Sequence, residues 1–360
     1  MTNKHLVTLA VFCLLIALPI GLFINARAQQ TSTRTQTTTS RPDDKTVPAG
    51  YRISGPYTHN NLTVFLVHGK DLLPGKNFLT LQEALAQKKV RIYETKDVNE
   101  LAIRNFSNQD VYVQAGDIVR GGDQDRMISI DFIVPPRSGR MPIAAFCVES
   151  GRWSKRGSEQ SAWFSSSENA AATRELKLAA KSANSQEAVW ENVSAAQKKL
   201  SRNVGAVVNA TVSETSYVLS VDNAKVQQTT AAYIEALNGI LRNKPDVIGY
   251  AFAINGQVNS ADVYASHALF AKLWPKLLKA TATEALAELN QDATAEAPAP
   301  VKDETIHEFL AASEQPKPEA KAVTSRVRVV TREDDKNVFF ETQDRRQNDA
   351  WVHRNYIRKQ

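Results

Sequence analysis

Two short segments rich in glycine, arginine and acidic residues hold most of the side chains in this chain that could do chemistry. The first polar segment is GGDQDR, residues 121–126, and the second is CVESGRW, residues 147–153. Each comes where an apolar, strand-like run ends or bends, so that a rigid scaffold can hold polar side chains outside the core. We therefore predict a functional site at these two segments.

Binding of a small molecule is the leading interpretation. Arg126 and Arg152 would supply charge, Gln124 would orient the ligand, and Trp153 would stack on it or form a wall. Gly121 and Gly122 have no side chain and so allow close approach of a ligand. The predicted ligand-binding residues are Gly121, Gly122, Gln124, Asp125, Arg126, Glu149, Arg152 and Trp153. The ligand itself stays unidentified.

An enzyme is the first alternative, with Glu149, His353 and Cys147 as catalytic candidates. Glu149 or His353 would act as acid or base, and Cys147 as nucleophile. Strand alternation places Cys147 and Glu149 on one face. A carboxylate there raises the thiol pKa unless a cation such as Arg126 intervenes, which favours a buried core cysteine. His353 lies far along the chain, so its role depends on a terminal strand lying beside the two segments.

Two further interpretations use the same residues. In one, the acids and arginines form an ion-pair web that braces loops of a structural or interaction module of the cell envelope. In the other, Asp123, Asp125, Glu149 and His353 hold a cation, but their spacing matches no known metal motif. No helix follows GGDQDR as a phosphate-binding loop requires, and no serine lies in a GxSxG elbow. We predict no metal and no cofactor.

The composition is that of a globular protein. The chain has 360 residues, 42% of them hydrophobic, which is enough for a sizeable core. The formal net charge of +6 is spread along the chain, and no basic stripe with interleaved aromatics occurs. Nucleic acid is therefore not a predicted partner.

The N-terminus has the pattern of a secretory signal peptide, predicted as residues 1–28. Lys4 precedes an uncharged run over residues 6–24, and Ala26 and Ala28 give a small-x-small cleavage pattern. The alternative is an uncleaved anchor, which would be the only membrane contact. Either way we predict a periplasmic or secreted protein. Cleavage removes Cys13 and leaves Cys147 without an intramolecular disulfide partner.

The chain divides into a spacer and one domain. Residues 29–50 are rich in Thr, Ser and Gln and predict a disordered spacer. Residues 51–360 predict a single domain, with a mobile Ala/Pro/Glu-rich linker near residues 291–325 that holds one short helix, 303–312.

Periodicity and turn signals predict the elements of that domain. The strands are 62–68, 90–95, 100–105, 111–114, 127–135, 141–149, 326–331, 338–342 and 351–357, the helices are 80–88, 185–202, 223–242 and 266–289, and a hairpin turns at Asn255 and Gly256. The fold class is α+β, with one mixed sheet, an inserted helical and hairpin section, and C-terminal strands that rejoin the sheet.

The motifs resemble one family. GGDQDR, VPPRSGRMPIAAFCVESGRW, VIGYAFAINGQVNSADVYASHALFAKLWPKLL and a terminal WVH together resemble the ARPP domain family (ARG and rhodanese-phosphatase-superfamily-associated protein domain), bacterial domains without an assigned function. The resemblance covers residues 51 to the C-terminus and implies one α+β domain.

The polar signature of the family falls on residues of both polar segments and the last strand. Its positions here are Gly121, Gly122, Gln124, Asp125, Arg126, Cys147, Glu149, Gly151, Arg152, Trp153 and His353. The variable position of the first segment is the acidic Asp123 in this chain. This extra negative charge argues against a purely anion-binding role.

Overall fold

The computed structural model describes residues 50–154, 156, 164–289 and 300–359. The predicted signal peptide and all of the predicted spacer except Gly50 lie outside the described residues. None of the helices within the described ranges is both long enough and apolar enough to cross a membrane.

The described part of the chain forms seventeen strands and seven α-helices. The strands are β1 Arg52–His59, β2 Leu62–His68, β3 Leu79–Thr80, β4 Val90–Glu94, β5 Glu100–Asn105, β6 Val111–Val113, β7 Asp117–Gly121, β8 Arg126–Ile128, β9 Phe132–Val134, β10 Met141–Cys147, β11 Phe164–Ala171, β12 Val247–Ile254, β13 Gln257–Tyr264, β14 Glu319–Ala322, β15 Val327–Glu333, β16 Asn337–Asp344 and β17 Ala350–Arg358. The helices are α1 Leu81–Ala86, α2 Arg174–Lys181, α3 Gln186–Val204, α4 Tyr217–Val221, α5 Ala224–Leu237, α6 His267–Ala287 and α7 Asp303–Ser313.

The strands form three sheets, so the α+β class is confirmed and the prediction of one mixed sheet is wrong. The order of the eight-stranded sheet is β1-β2-β12-β13-β17-β16-β15-β14, and every pairing in it is antiparallel. A six-stranded sheet has the order β11-β7-β8-β10-β5-β4, and a three-stranded sheet has the order β3-β6-β9. The C-terminal strands join the large sheet through the pairing of β17 with β13, as predicted.

The predicted strand 127–135 is in fact two strands in different sheets. β8 pairs with β7 and β10, whereas β9 pairs with β6. Asp131 lies between β8 and β9, and its carboxylate accepts the backbone N–H of Ala115 at 2.7 Å and bonds to His353 at 2.8 Å. These contacts from distant parts of the chain hold the link between the two strands.

Side-chain periodicity, helix caps and turn residues correctly predicted most of the other elements. Strand β2 has the predicted bounds, and Thr80 caps α1 in a reciprocal capping box with Glu83. The hairpin of β12 and β13 turns at Asn255 and Gly256, both at positive φ, as a tight two-residue turn requires. Ser185 and Ser266 are the N-caps of α3 and α6.

Helices cover both faces of the eight-stranded sheet. Apolar residues of α6, among them Phe270 and Trp274, pack with Tyr250 and Phe252 of the sheet. Residues of α7 pack with strands on the other face. The stretch predicted as a linker, 291–325, contains α7 and β14, while residues 290–299 lie outside the described ranges.

Candidate functional site

The first polar segment forms the turn between β7 and β8. Gly122 has φ +56°, and a Cβ at this position would lie 2.4 Å from both Glu94 Oε1 and the Phe164 ring. Only glycine fits this position without displacing those groups. The missing side chain lets Glu94 of β4 reach the turn, where it accepts the N–H of Asp123 at 3.1 Å.

The structure brings the two polar segments together. In the β8–β10 register Arg126 faces Cys147, and the N–H of Val148 donates to the carbonyl of Asp125 at 3.0 Å. The guanidinium of Arg152 reaches back to donate to the carbonyl of Gly122 at 3.2 Å. We call the joined site the Arg126 cluster; its members are Glu94, Gln124, Asp125, Arg126, Glu149, Arg152, Arg156, Ser213 and Ser216.

The two central carboxylates of this cluster are fully buried and well paired. Asp125 contacts Arg156 at 3.0 Å and accepts the Ser216 hydroxyl at 3.2 Å. Glu149 is 2.8 Å from Arg152, 3.4 Å from Arg156 and accepts a hydrogen bond from Ser213.

Their surroundings shift the two carboxyl pKa values in opposite directions. Burial raises the pKa of Asp125, although Arg156 acts against this shift. For Glu149, burial is outweighed by hydrogen bonds from Arg152 and Ser213, and the pKa falls. Glu149 is thus held as a carboxylate by its partners.

Four side-chain donor atoms in the same cluster are buried and make no hydrogen bond among the described residues: Gln124 Nε2, Arg126 Nε, Arg152 Nε and Arg152 Nη2. Arg152 Nη2 lies 2.8 Å from Glu149 as an ion pair, which leaves the first three without an acceptor. Gln124 and Arg126 are adjacent, since Arg126 Nη1 donates to both oxygens of Gln124 at 3.2 and 3.3 Å. Buried donors are normally satisfied by protein, water or a ligand, so these groups are candidates for contact with a further molecule.

Glu94 completes this group, and sequence reasoning did not select it. Its Oε2 lies 3.6 Å from Arg126 Nη2 and has no hydrogen-bond donor in the described structure. Burial raises its carboxyl pKa, although Arg126 opposes the rise. The sequence could have indicated a buried acid here, because alternation in β4 places Glu94 on the same face as the buried Val90 and Ile92. Arg156, Ser213 and Ser216 were also missed and carry no comparable pattern.

Trp153 follows Arg152 of the cluster in sequence and is 57% exposed. The Arg152 guanidinium donates to the carbonyl of Ser154 at 2.6 Å and so restrains the backbone around Trp153. The nearby Ser213 and Thr215 bond to Glu149 and Ser150 and tie their loop to the second polar segment. Trp153 is therefore an exposed aromatic ring on an anchored backbone.

Cys147 is a buried residue at the end of β10. Its Sγ lies 3.7 Å from the carbonyl oxygen of Val98. Burial raises the pKa of the thiol to about 11, although Arg126 opposes the rise. This environment disfavours the thiolate that a nucleophile needs.

His353 does not lie with the two polar segments but in a second buried cluster. Its Nδ1 is 2.8 Å from Asp131 Oδ2, and its Nε2 is 3.0 Å from Asp262 Oδ1. The ring stacks on Tyr264 with centroids 4.5 Å apart. We call this the His353 cluster; it also contains Tyr112, Lys177, Lys181, Thr342 and Asn355.

Both ring nitrogens of His353 face carboxylates, so both must carry a proton to donate. Burial would lower the pKa of His353, but Asp131 and Asp262 raise it. In return, and against the effect of burial, Lys177 and His353 lower the pKa of Asp262 to about 2. The same imidazolium lowers the pKa of Asp131, again against burial. The cluster is thus a buried cation between two anions.

A small cavity lined by both polar and apolar residues lies next to this cluster. Its volume is about 20 Å³, and the charged groups that line it include Asp117, Lys177, Lys276 and Glu284. Lys276 and Asp117 pair at 2.7 Å, and burial raises the pKa of Glu284 to about 7. A space of this volume holds about one water molecule. Within the described ranges no group of three or more His, Cys, Asp or Glu side chains is arranged to hold a metal ion.

Fold and geometry define an α+β protein of three sheets, with antiparallel pairing everywhere except between β3 and β6, that carries two buried ionic clusters. The chain belongs to the ARPP-1 family: the family model, described as ARG and Rhodanese-Phosphatase-superfamily-associated Protein domain, matches residues 50–357. This confirms the resemblance, and the family has no assigned function. No curated protein and no solved structure matched the chain.

Proposed function

We propose that this ARPP-1 protein binds a small polar ligand at the Arg126 cluster. The observation that supports it is the set of buried donors that have no acceptor within the part of the chain that the structure describes, Gln124 Nε2, Arg126 Nε and Arg152 Nε. Each unsatisfied buried polar group costs about 1–3 kcal/mol, and a ligand that accepts these hydrogen bonds recovers that energy. Sites of this kind use a few placed polar groups to fix the orientation of a ligand.

The test compares two glutamines. Gln124→Met keeps the volume and removes the free Nε2, so it should abolish binding. Gln227→Met is the matched control, because Gln227 is half-buried outside the cluster and its Nε2 already donates to the carbonyl of Val221 at 2.7 Å. Thermal-shift and calorimetric screens with sugars, nucleotides and dicarboxylates provide the measurement. Equal ligand responses in wild type and Gln124→Met would remove the proposal.

A structural or interaction role in the cell envelope is the second candidate. It is favoured by the dense pairing of Asp125 and Glu149 with Arg152 and Arg156, which braces the two polar segments. In this case Arg126→Ala would lower the melting temperature and no compound would raise it.

We propose no reaction. Glu149 and His353 lie in separate clusters with different partners, and Cys147 is buried with a raised pKa. Their catalytic roles stay predictions from the sequence.

We also propose that the protein is exported to the periplasm or secreted. The support is the uncharged run over residues 6–24 followed by Ala26 and Ala28. Mass spectrometry of the protein from fractionated cells should find a mature N-terminus at Gln29. A cytoplasmic protein that retains Met1 would contradict export.

A further inference from the structure

The eight-stranded sheet ends at β14, and this edge strand has one unpaired side within the described residues. β14 pairs there with β15 alone, in a regular antiparallel register that runs from Glu319 opposite Thr331 to Ala322 opposite Arg328. All 4 residues of the strand are exposed. An edge of this kind presents backbone N–H and C=O groups to another chain.

The opposite edge of the same sheet is built differently. Strand β1 contains Pro56, which has no N–H, and its register with β2 shifts between Ser54 and Tyr57. A proline and an irregular register both oppose the addition of a further strand. Strand β14 itself contains neither. It is therefore the edge of this sheet that is better suited to accept another strand.

The hydrogen-bonding groups of Ala320 and Ala322 point to the unpaired side. At the turn that joins β14 to β15, the N–H of Val323 donates to the carbonyl of Val327 at 2.8 Å. Residues of an antiparallel strand bond alternately to one side and to the other, so Lys321 bonds toward β15 as Val323 does. The N–H and C=O groups of Ala320 and Ala322 therefore face away from β15.

The unpaired edge is bordered by small side chains on one face of the sheet. Pro318 and Ala320 line an open groove of about 440 Å³ together with Val330 and Arg332. Ala322 lies on the same face by strand alternation. These small residues leave room for a second strand beside β14.

The charges on the other face of β14 fit a second copy of this chain. Glu319 and Lys321 point to that face, and their neighbours on β15, Thr331 and Val329, are uncharged. In a two-fold symmetric antiparallel pair, the residue on the axis faces its own copy. With Ala320 on the axis, Glu319 of each chain faces Lys321 of the other. With Glu319 or Lys321 on the axis, like charges would meet.

The register centred on Ala320 also satisfies the backbone. Ala320 exchanges both of its backbone hydrogen bonds with its copy, and the N–H of each Ala322 donates to the carbonyl of Pro318 in the other chain. Because Pro318 has no N–H, the pairing stays short. A lysine on an edge strand normally opposes pairing, but in this register Glu319 gives Lys321 an opposite charge.

We propose that the protein forms a two-fold symmetric dimer through β14, in which two eight-stranded sheets join into one continuous sheet. The contact is short, and interfaces that bury less than about 1,200 Å² are weak. The dimer should therefore depend on protein concentration. This inference is independent of the ligand proposed for the Arg126 cluster.

The experiment is sedimentation velocity of the full mature chain at concentrations up to its solubility limit. The wild type should shift from monomer to dimer as the concentration rises. Ala320→Pro removes the N–H on the axis and should leave a monomer, because an edge strand tolerates proline where the N–H faces solvent. Lys321→Glu should weaken the dimer by about tenfold or more, since symmetry turns two attractive charge pairs into repulsive ones.

A double variant tests the register itself. Glu319→Lys combined with Lys321→Glu exchanges the two charges and should restore the dissociation constant of the wild type. Lys225→Glu is the matched control, because Lys225 is exposed on α5 and undergoes the same change of charge outside β14. It should leave the dissociation constant unchanged.

Each contrary result overturns the inference. A monomer at every concentration removes the dimer, and a dimer that persists in Ala320→Pro is held by another surface. If the double variant stays as weak as Lys321→Glu, the register is wrong and the proposal fails. The substituted residues of β14 are exposed, and circular dichroism verifies that each variant folds. The charge variants keep the test decisive if Ala320→Pro does not fold.

Discussion

The two buried clusters use similar residues in opposite ways. In the His353 cluster each nitrogen of the imidazole faces a carboxylate, so the cation is paired with two anions, while Asp262 Oδ2 and the hydroxyls of Tyr112 and Tyr264 have no hydrogen-bond partner among the described residues. In the Arg126 cluster the acids lie within ion-pair distance of arginines, but donors of Gln124, Arg126 and Arg152 have no acceptor among the described residues. The first arrangement joins strands of different sheets through opposite charges, and the second has unpartnered donors on the arginines and glutamine that we propose as the binding site.

The largest expected effect is on the His353 cluster. His353→Leu leaves Asp131 and Asp262 buried without their shared cation, which should cost about 3–5 kcal/mol of unfolding free energy. Urea unfolding followed by circular dichroism measures this. A loss below about 1 kcal/mol would show that the junction does not depend on the imidazolium.

A smaller loss is expected for Glu149→Gln in the Arg126 cluster. The amide keeps one acceptor for Ser213 but leaves the buried guanidinium groups of Arg152 and Arg156 with one carboxylate fewer. We expect a cost of about 2–3 kcal/mol in the same unfolding assay. If the unfolding free energy is unchanged or higher in Glu149→Gln, the carboxylate serves binding and does not stabilise the contact between the two polar segments.

Alkaline pH should weaken the His353 cluster selectively. The folded pKa of His353 is raised, so its contribution is complete below the unfolded value of about 6.5 and is lost as pH rises through the folded pKa. Between those two values the unfolding free energy should fall by about 1.4 kcal/mol per pH unit. His353→Gln should show a flatter profile over that interval. The other titratable groups that contact the ring are Asp131, Asp262, Tyr112 and Tyr264. Lys177 lies 3.6 Å from Asp262, and burial lowers the pKa of Lys181 to about 8. If the wild-type and variant profiles run parallel, the ring is not an imidazolium.

The smallest effect on stability should come from Gln124→Met. The Nε2 of Gln124 makes no hydrogen bond within the described structure, so its removal breaks no such contact. The lost acceptor for Arg126 limits the cost to about 1 kcal/mol. A cost above about 3 kcal/mol in the urea assay would show that Gln124 serves the fold, and the contrast between the two clusters would disappear.

Elements that depend on nearby residues were predictable from the sequence. The bounds of β2, the capping box of Thr80 and the turn at Asn255 and Gly256 all follow from side-chain period, caps and turn residues. Strand β11, FSSSENAA, was missed because its small and polar residues give no apolar alternation, and it is ordered by its pairing with β7.

The division of the sheets was not predictable, because it depends on contacts between distant residues. Asp131 meets His353 across 222 positions, and no local pattern reports such a pair. The meeting of the two polar segments was inferred from their composition, whereas Arg156, Ser213 and the partners of His353 became visible only in the folded chain. The partner of an ionic side chain depends on which residues lie close to it in the folded protein. Ion pairs between distant residues therefore cannot be predicted from the sequence alone.

The link between β8 and β9 should not tolerate an insertion or a deletion. Ser129, Ile130 and Asp131 separate a strand that begins with Arg126 from a strand in another sheet. A codon inserted or deleted here would shift one strand by a residue, and a one-residue shift turns every side chain of a strand to its opposite face. Either Arg126 would leave its cluster or Asp131 would leave His353. Surface loops tolerate changes of length, but we expect this link to have a fixed length wherever both clusters are kept.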